Sequence, residues 1–334
     1  MTGFADPAMP WLDDALNLER AQAMLRSSVT LPTLDPPSLK VRGVRLVRHH
    51  LGRRCLIEYC VDVQHRGLQR QICLLGKVRA KGLNRETIRV MTALRDAGFG
   101  SHSADGISVP ELAGVISDWR MWLAVKVEGT PVSEYLAGAE RTWFAERAAD
   151  VAQKIHLSGV AGATRHTIEN EITILDAALS KAADARPDLD PRIRDVAAAC
   201  GEMAGSAPTG RFAGIHRDFY GDQIVVAGDR LYILDLDQFC EGDPALDIGN
   251  FLAHMTEQSI RLRGEPFAFD DARTSLLERA VRNGVGRTTI LIYDLLTLAR
   301  HLWISTRIPD RGHMTPAILA ECERRLERSL VETR

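Results

Sequence analysis

The sequence lacks the features that mark several common classes of protein. Its 42 basic and 44 acidic residues nearly balance, so no bulk charge points to a nucleic-acid partner or to an anionic membrane surface. Its 6 cysteines include no C-x-x-C pair, which argues against a zinc site and against a disulfide framework. Reduced, buried thiols are the default for such a chain, and they fit a cytoplasmic protein.

Long apolar runs are also missing. The opening residues, MTGFADPAMPWLDD, have neither a basic start nor an apolar core, so a signal peptide is not expected. The most apolar helical segment, residues 288–304, contains Asp294, Arg300 and His301, which predicts a buried helix and no membrane span. Five arginines between positions 42 and 54 alternate with apolar residues without an aromatic platform. This pattern indicates an exposed strand face and no nucleic-acid site.

The chemistry concentrates in residues 211–250. His216-Arg217-Asp218 is followed by Gln223, an apolar run and the dipeptide Gly228-Asp229, which favours a tight hairpin turn. The returning strand ends at Asp235 and Asp237. The hairpin is expected to bring Asp235 beside Gln223 and Asp218. Carboxylate and amide oxygens are hard donors, so the sequence predicts a place for a magnesium ion and a phosphate.

The N-terminal part has the two-residue period of a sheet. Residues 41–63 alternate between apolar and polar side chains around a turn at 51–54, which predicts two strands. Residues 71–78 form a predicted third strand that carries Lys77. Asn84 can cap a following helix that has Glu86 in its first turn. Beyond residue 140 the pattern is helical almost throughout.

The motif His-x-Asp-(x)4-Gln, followed by a hairpin that ends in aspartate, resembles the catalytic and metal loops of the protein-kinase-like fold. The continuation Gly242-Asp243-Pro244-Ala245-Leu246-Asp247 narrows the likeness to the aminoglycoside phosphotransferase family, which includes kinases of choline, homoserine and sugars. The resemblance implies a bilobal α+β fold. Residues 1–126 would form a small lobe with an antiparallel nucleotide-binding sheet, and residues 127–334 a larger helical lobe with the catalytic and metal loops.

The resemblance also implies roles for individual residues. Asp218 would be the base that takes the proton of the acceptor hydroxyl. Lys77 would hold the α- and β-phosphates of ATP, with Glu86 fixing the lysine, and Lys81 is the competing lysine. Asp235 and Gln223 would be the magnesium ligands. The backbone around Val125 and Val127 would pair with adenine.

Three neighbouring aspartates have supporting roles in this scheme. Asp237 is either an extra ligand or partner at the metal site or a helix cap. Asp243 is expected to cap the helix that begins at Pro244, and Asp247 to brace the catalytic loop, as in the family.

The sequence departs from the family in two places. Gln223 stands where the family has asparagine, and its extra methylene moves the amide oxygen by about 1.5 Å when the side chain is extended. The predicted phosphate-covering turn has a single glycine, Gly52. We therefore expect an ATP- and Mg²⁺-dependent kinase of a small-molecule hydroxyl. A catalytically impaired, nucleotide-binding relative with a regulatory or scaffolding role is the alternative.

The segments beyond Phe251 mix acidic and arginine side chains. Sites for polycationic sugars need clustered carboxylates, so this balance disfavours a polycation and leaves neutral or anionic alcohols as acceptors.

Overall fold

The computed structural model describes residues 6–31, 39–65, 68–208 and 210–332. The described residues form two compact units. The first unit comprises those up to residue 129 together with 227–237, and the second comprises 130–226 together with those from 238 onward. The first unit is dominated by an antiparallel sheet and the second by helices. This mixed α+β, kinase-like architecture confirms the predicted fold class.

Most of the longer strands lie in the first unit, and the remaining strands are short. The strands are β1 (Lys40–His50), β2 (Arg54–His65), β3 (Leu68–Arg79), β4 (Ile107–Ser108), β5 (Leu112–Ile116), β6 (Met121–Val125), β7 (Thr130–Pro131), β8 (Arg165–His166), β9 (Ala213–Ile215), β10 (Ile224–Ala227), β11 (Arg230–Ile233) and β12 (Cys240–Gly242).

The long helices belong to the second unit. The α-helices are α1 (Leu12–Leu16), α2 (Leu18–Ser28), α3 (Arg85–Leu94), α4 (Val132–Tyr135), α5 (Arg141–Leu157), α6 (Ile168–Ala185), α7 (Asp190–Gly205), α8 (Pro244–Arg263), α9 (Asp270–Arg282), α10 (Arg287–Arg307) and α11 (Thr315–Glu332). Within the described ranges, none of the helices is both long enough and apolar enough to cross a membrane.

A five-stranded sheet with the order β1-β2-β3-β6-β5 forms the centre of the first unit, and each neighbouring pair is antiparallel. The predicted alternation explains its two faces, because successive side chains of a strand point to opposite sides. In β2, Ile57, Tyr59 and Val61 are buried. The Tyr59 hydroxyl donates to the Ala15 carbonyl at 3.0 Å, which ties α1 to the sheet.

The opposite face of the same sheet carries the polar side chains. In β3, Leu74, Gly76 and Val78 are buried, whereas Lys77 and Arg79 alternate with them and are partly exposed. The two basic side chains therefore project from the face that does not pack on the core of the unit.

Helix packing and a small sheet position the residues around His216 in the second unit. Helices α8 and α10 pack so closely that a Cβ on Gly249 would lie 2.6 Å from the Asp294 amide nitrogen, so a larger residue does not fit there. A three-stranded sheet with the order β8-β12-β9 pairs Cys240 with Ile215, the last residue of β9. This pairing fixes the backbone immediately before His216.

Candidate active site

Lys77 and Asp235 form an ion pair in the first unit. Asp235 follows β11 and adopts a left-handed backbone with φ of +52°, an uncommon conformation for a residue other than glycine. The Lys77 Nζ atom donates to Asp235 Oδ1 at 2.8 Å. It also lies 5.4 Å from the ring centre of Trp122, its neighbour across the β3–β6 ladder. Sheet register and the turn at Asp235 together place the two predicted site residues in contact.

Asp237 connects the same region to the start of α3. Its carboxylate accepts from Arg79 Nη2 at 2.7 Å, from Thr87 Oγ1 at 2.9 Å and from Asn84 Nδ2 at 3.2 Å. Burial raises the pKa of Asp237, but the charges of Lys77 and Arg79 and the hydrogen bonds outweigh burial and hold the pKa below its ordinary value. Asp237 is therefore ionised at neutral pH and anchors the helix N-terminus to β3.

Two rows of residues across the sheet line a cavity of about 140 Å³ beside the two aspartates. One row runs Arg48, Leu56, Lys77 and Trp122, and the other runs His50, Arg54 and Arg79. All seven side chains line the cavity, together with Asn84, Arg120, Asp235 and Asp237. Basic side chains outnumber the carboxylates, so the cavity is suited to an anion such as a polyphosphate.

His50 shows the effect of this positive environment. His50 is exposed, but partial loss of contact with water lowers its pKa, and the nearby charges of Arg54, Arg48 and Arg53 lower the pKa further. The ring is therefore neutral at pH 7, while the arginines keep their charge. The contribution of Arg48 and Arg79 to this site was missed by sequence reasoning, although two-residue alternation places Arg79 on the same face as Lys77.

Glu86 lies in the first turn of α3, as predicted, and binds a neighbour on its own helix. Its carboxylate accepts from Arg89 Nη2 at 2.6 Å and from Arg89 Nε at 2.9 Å. The pKa of Arg89 is raised by this hydrogen bond. In the structure Lys77 thus pairs with Asp235, and Arg89 pairs with Glu86. The predicted Lys77–Glu86 ion pair stays a prediction.

Val125 and Val127 lie at the end of β6. The Val125 amide donates to the Glu111 carbonyl at 2.9 Å, and the next amide, that of Lys126, donates to the Cys73 carbonyl at 2.8 Å. Val127 lies beyond the last strand residue. The sheet already uses the Val125 amide, and the adenine contact of these two residues stays a prediction.

The His216-Arg217-Asp218 loop of the second unit is held by one fully buried carboxylate, that of Asp247. The amides of His216 and Arg217 donate to Asp247 Oδ2 and Oδ1 at 2.9 and 2.7 Å. His156 Nε2 lies 2.9 Å from Asp247 Oδ2. The expected bracing role of Asp247 is confirmed. His156, in the last turn of α5, is a partner in this bracing.

A second link joins the loop to α8 and α10. Asn250 Nδ2 donates to the Arg217 carbonyl at 2.7 Å, and Thr297 Oγ1 donates to Asn250 Oδ1 at 2.5 Å. Arg217 adopts a left-handed backbone with φ of +69°. Such a conformation persists where surrounding contacts over-determine it, and it is common at functional sites. Sequence reasoning missed Asn250 and Thr297, because their partners lie far away along the chain.

Asp218 and Gln223 follow this braced loop. Asp218 stands between the buried His216 and Phe219, and the Phe219 ring packs 5.5 Å from Phe251. Gln223 ends a short 3₁₀ turn and is 9% exposed. Its backbone N–H donates to the Tyr220 carbonyl at 2.9 Å. Asp243 caps α8 as predicted, accepting from the Ala245 amide at 2.9 Å. The convergence of Asp218 and Gln223 with Asp235 stays a prediction.

The residues present fit a magnesium ion. Asp235 already accepts a cation, the Lys77 ammonium, on Oδ1. A carboxylate and an amide oxygen are donors of the kind that Mg²⁺ takes. Asp235 is therefore chemically suited to be a metal ligand, and the sharing of one ion by Asp235 and Gln223 stays a prediction.

The protein-kinase-like fold and the braced His-x-Asp loop define a phosphotransferase that acts on small molecules. The model of the phosphotransferase enzyme family (APH) matches residues 76–278, more than half of the chain, and the chain belongs to this family. No curated protein matches the sequence.

Solved structures of several small-molecule kinases share the fold. A choline/ethanolamine kinase family protein from Mesorhizobium loti has a TM-score of 0.55 at 18% identity, covering 92% of this chain and 94% of that chain. A glucosamine kinase in complex with glucosamine, ADP and inorganic phosphate has a TM-score of 0.62 at 14% identity, with coverages of 95% and 87%. A thermostable mutant of an aminoglycoside phosphotransferase in complex with ADP and hygromycin B has a TM-score of 0.56 at 11% identity, with coverages of 86% and 94%.

Proposed function

We propose that this protein is an ATP-dependent kinase that transfers the γ-phosphate to a hydroxyl of a small molecule. The observation that carries the proposal is the double hydrogen bond from the His216 and Arg217 amides to the buried Asp247. This arrangement fixes the backbone that presents Asp218. Family membership and the ADP complexes of two structural neighbours support nucleotide use.

In the proposed mechanism each residue acts on charge or on a proton. Asp218 accepts a hydrogen bond from the acceptor hydroxyl and takes its proton as the oxygen bonds to phosphorus. Lys77 binds phosphate oxygens, and the neighbouring basic rows attract the triphosphate. Asp235 and Gln223 would hold Mg²⁺, which would supply positive charge against the phosphates.

The surroundings of Tyr220, two residues beyond Asp218, favour a neutral or anionic acceptor. The Tyr220 ring stacks on His254 with 4.2 Å between ring centres. Burial lowers the pKa of His254 well below its usual value, and it lowers that of His301 to about 3. Both rings are therefore neutral at pH 7. Glu257 accepts from Arg261 at 3.2 Å and from Arg311 at 3.1 Å. A polycation would have to compete with two arginines for this carboxylate.

The alternative, a catalytically impaired nucleotide-binding relative, is favoured by one observation. Gln223 replaces the family asparagine and is buried, so its longer side chain has little room to adjust. A screen of ATP-dependent phosphorylation over neutral, anionic and polycationic alcohols tests the proposal. Transfer to a neutral or anionic alcohol is expected. ATP binding without transfer to any acceptor would instead support the alternative.

A further inference from the structure

A second cleft, of about 530 Å³, opens among α8, α9, α10 and α11 of the second unit. None of the residues assigned above to phosphoryl transfer lines it. The apolar residues that line the cleft include Phe267, Leu277 and Leu291. The charged residues that line it are four arginines and three carboxylates, a net charge of +1. A concave site with an apolar wall and a few converging polar groups has the anatomy of a small-molecule site.

A buried carboxylate lines the cleft. Asp294 is 2% exposed, and its Oδ2 atom accepts from Arg273 Nη2 at 2.8 Å and lies 2.7 Å from Arg325 Nη1. Burial raises the pKa of Asp294, but the two arginine charges outweigh it and hold the pKa below its ordinary value. Its Oδ1 atom has no hydrogen-bond partner among the described residues. An ionised, buried oxygen without a donor is costly, so Asp294 lacks one hydrogen bond that a ligand can supply.

Two arginines of α11 supply the complementary donors. Arg324 binds both oxygens of Glu321 at 2.6 Å, its guanidinium lies 4.7 Å from the Phe267 ring centre, and its Nη1 atom has no partner among the described residues. Arg328 is exposed and also lines the cleft. Arginine nitrogens in this setting suit a carboxylate, because hydrogen bonds between two charged groups are stronger than neutral ones.

We infer that the cleft binds a small organic acid that has an apolar body and a hydrogen-bond donor. Its carboxylate would lie on Arg324 and Arg328, its hydroxyl would donate to Asp294 Oδ1, and its apolar body would cover Phe267 and Leu291. These two apolar side chains are 44% and 40% exposed, so the ligand would remove apolar surface from water. The net charge of +1 matches a monoanion. The inference does not depend on the proposed kinase activity.

Three probes that differ by one group each test the inference by calorimetry on the full-length protein without ATP. 3-Phenyllactate has the acid, the hydroxyl and the apolar ring. 3-Phenylpropionate lacks the hydroxyl, and 2-phenylethanol lacks the acid. Saturable binding of 3-phenyllactate is expected, with each of the other two probes weaker by roughly tenfold or more. No saturable binding of 3-phenyllactate, or equal binding of all three, would overturn the inference.

Variants then locate the binding. Arg324→Gln and Arg328→Gln are each expected to weaken the binding of 3-phenyllactate by roughly tenfold. Arg263 is an exposed arginine outside the cleft, and Arg263→Gln is expected to leave the affinity unchanged. Asp294 itself is left intact, because its loss would leave the charges of Arg273 and Arg325 without their carboxylate partner. If Arg324→Gln lowers the melting temperature, the test depends on Arg328→Gln, because Arg328 is exposed and its replacement is not expected to affect folding. Binding unaffected by either glutamine variant would place the ligand elsewhere and contradict the inference.

Discussion

Lys77 Nζ and Asp235 Oδ1 lie 2.8 Å apart although 158 residues separate them in the chain. The lysine that is expected to bind phosphate therefore rests on the carboxylate that is expected to bind magnesium. A bound magnesium ion would compete with Lys77 for Asp235, and a bound triphosphate would compete with Asp235 for Lys77. The ion pair orders both side chains before nucleotide arrives, which lowers the ordering cost of binding. Binding must then exchange the ion pair for contacts with the ion and the phosphates.

Lys77→Ala is expected to weaken ATP binding by roughly ten- to a hundredfold, since it removes hydrogen bonds between charged groups. Lys81→Ala is the matched control, because Lys81 is exposed and lies after the end of β3. Calorimetric titration with ATP measures both. Equal losses in the two variants would show that Lys77 is not the phosphate-binding lysine.

Asp237→Asn is expected to lower the free energy of unfolding by about 1–3 kcal/mol at pH 7, because it weakens three hydrogen bonds to a partly buried carboxylate. The folded pKa of Asp237 lies below its ordinary value, so its stabilisation is present above about pH 4 and is lost as the pH falls through the folded pKa. Denaturant unfolding from pH 7 to pH 3 should show the two proteins converging in acid. Asp229→Asn, at an exposed turn residue, should show no such difference. A difference in the free energy of unfolding that stays constant at every pH would show that ionisation of Asp237 is not its cause.

Asp247→Asn is expected to lower turnover by about a hundredfold through misplacement of the loop. The asparagine side chain has one acceptor oxygen, so it can accept from only one of the His216 and Arg217 amides. Its NH₂ group would face the other amide, which is also a donor. ATP affinity should change little, because Lys77 and Asp235 belong to the other unit. Asp243→Asn is the matched control, since asparagine caps a helix as well as aspartate does. Steady-state kinetics and ATP calorimetry test this together. Normal turnover in Asp247→Asn would exclude the bracing role in catalysis.

Gln223→Asn is expected to preserve or improve activity at low magnesium, because the shorter amide restores the ligand length of the family. Gln223→Ala removes an oxygen ligand and should raise the magnesium concentration needed for half-maximal rate. Magnesium titrations of the three proteins measure this. Full activity and identical magnesium dependence in the wild type and Gln223→Ala would remove Gln223 from the metal site. If none of the three transfers phosphate to any acceptor, glutamine marks a decayed site.

Local sequence signals predict most of the elements that carry the site. The alternation in residues 41–63 yields β1 and β2, and β3 contains Lys77 as predicted. Asn84 caps α3, and Asp243 caps α8. These features depend on neighbours in the chain, and their physical cause lies within a few residues.

Long-range contacts are the part that the sequence does not reveal. Strands of two or three residues, such as β8 and β12, have no period of their own and form because a partner strand is present. The partners of Asp237 and the bond between His156 and Asp247 join segments more than 90 residues apart. Glu86 binds Arg89, three residues away, a contact that helical spacing does suggest.

The central claim is that Asp218 acts on the acceptor hydroxyl. The most direct measurement is transfer of the γ-phosphate from ATP to an acceptor identified in the alcohol screen, compared between wild type and Asp218→Ala, with ATP affinity measured on the same samples. Turnover is expected to fall by about 10²–10⁴ in Asp218→Ala, while ATP affinity stays within a few-fold. Unchanged turnover in Asp218→Ala, with a folded protein and intact ATP binding, would contradict the claim.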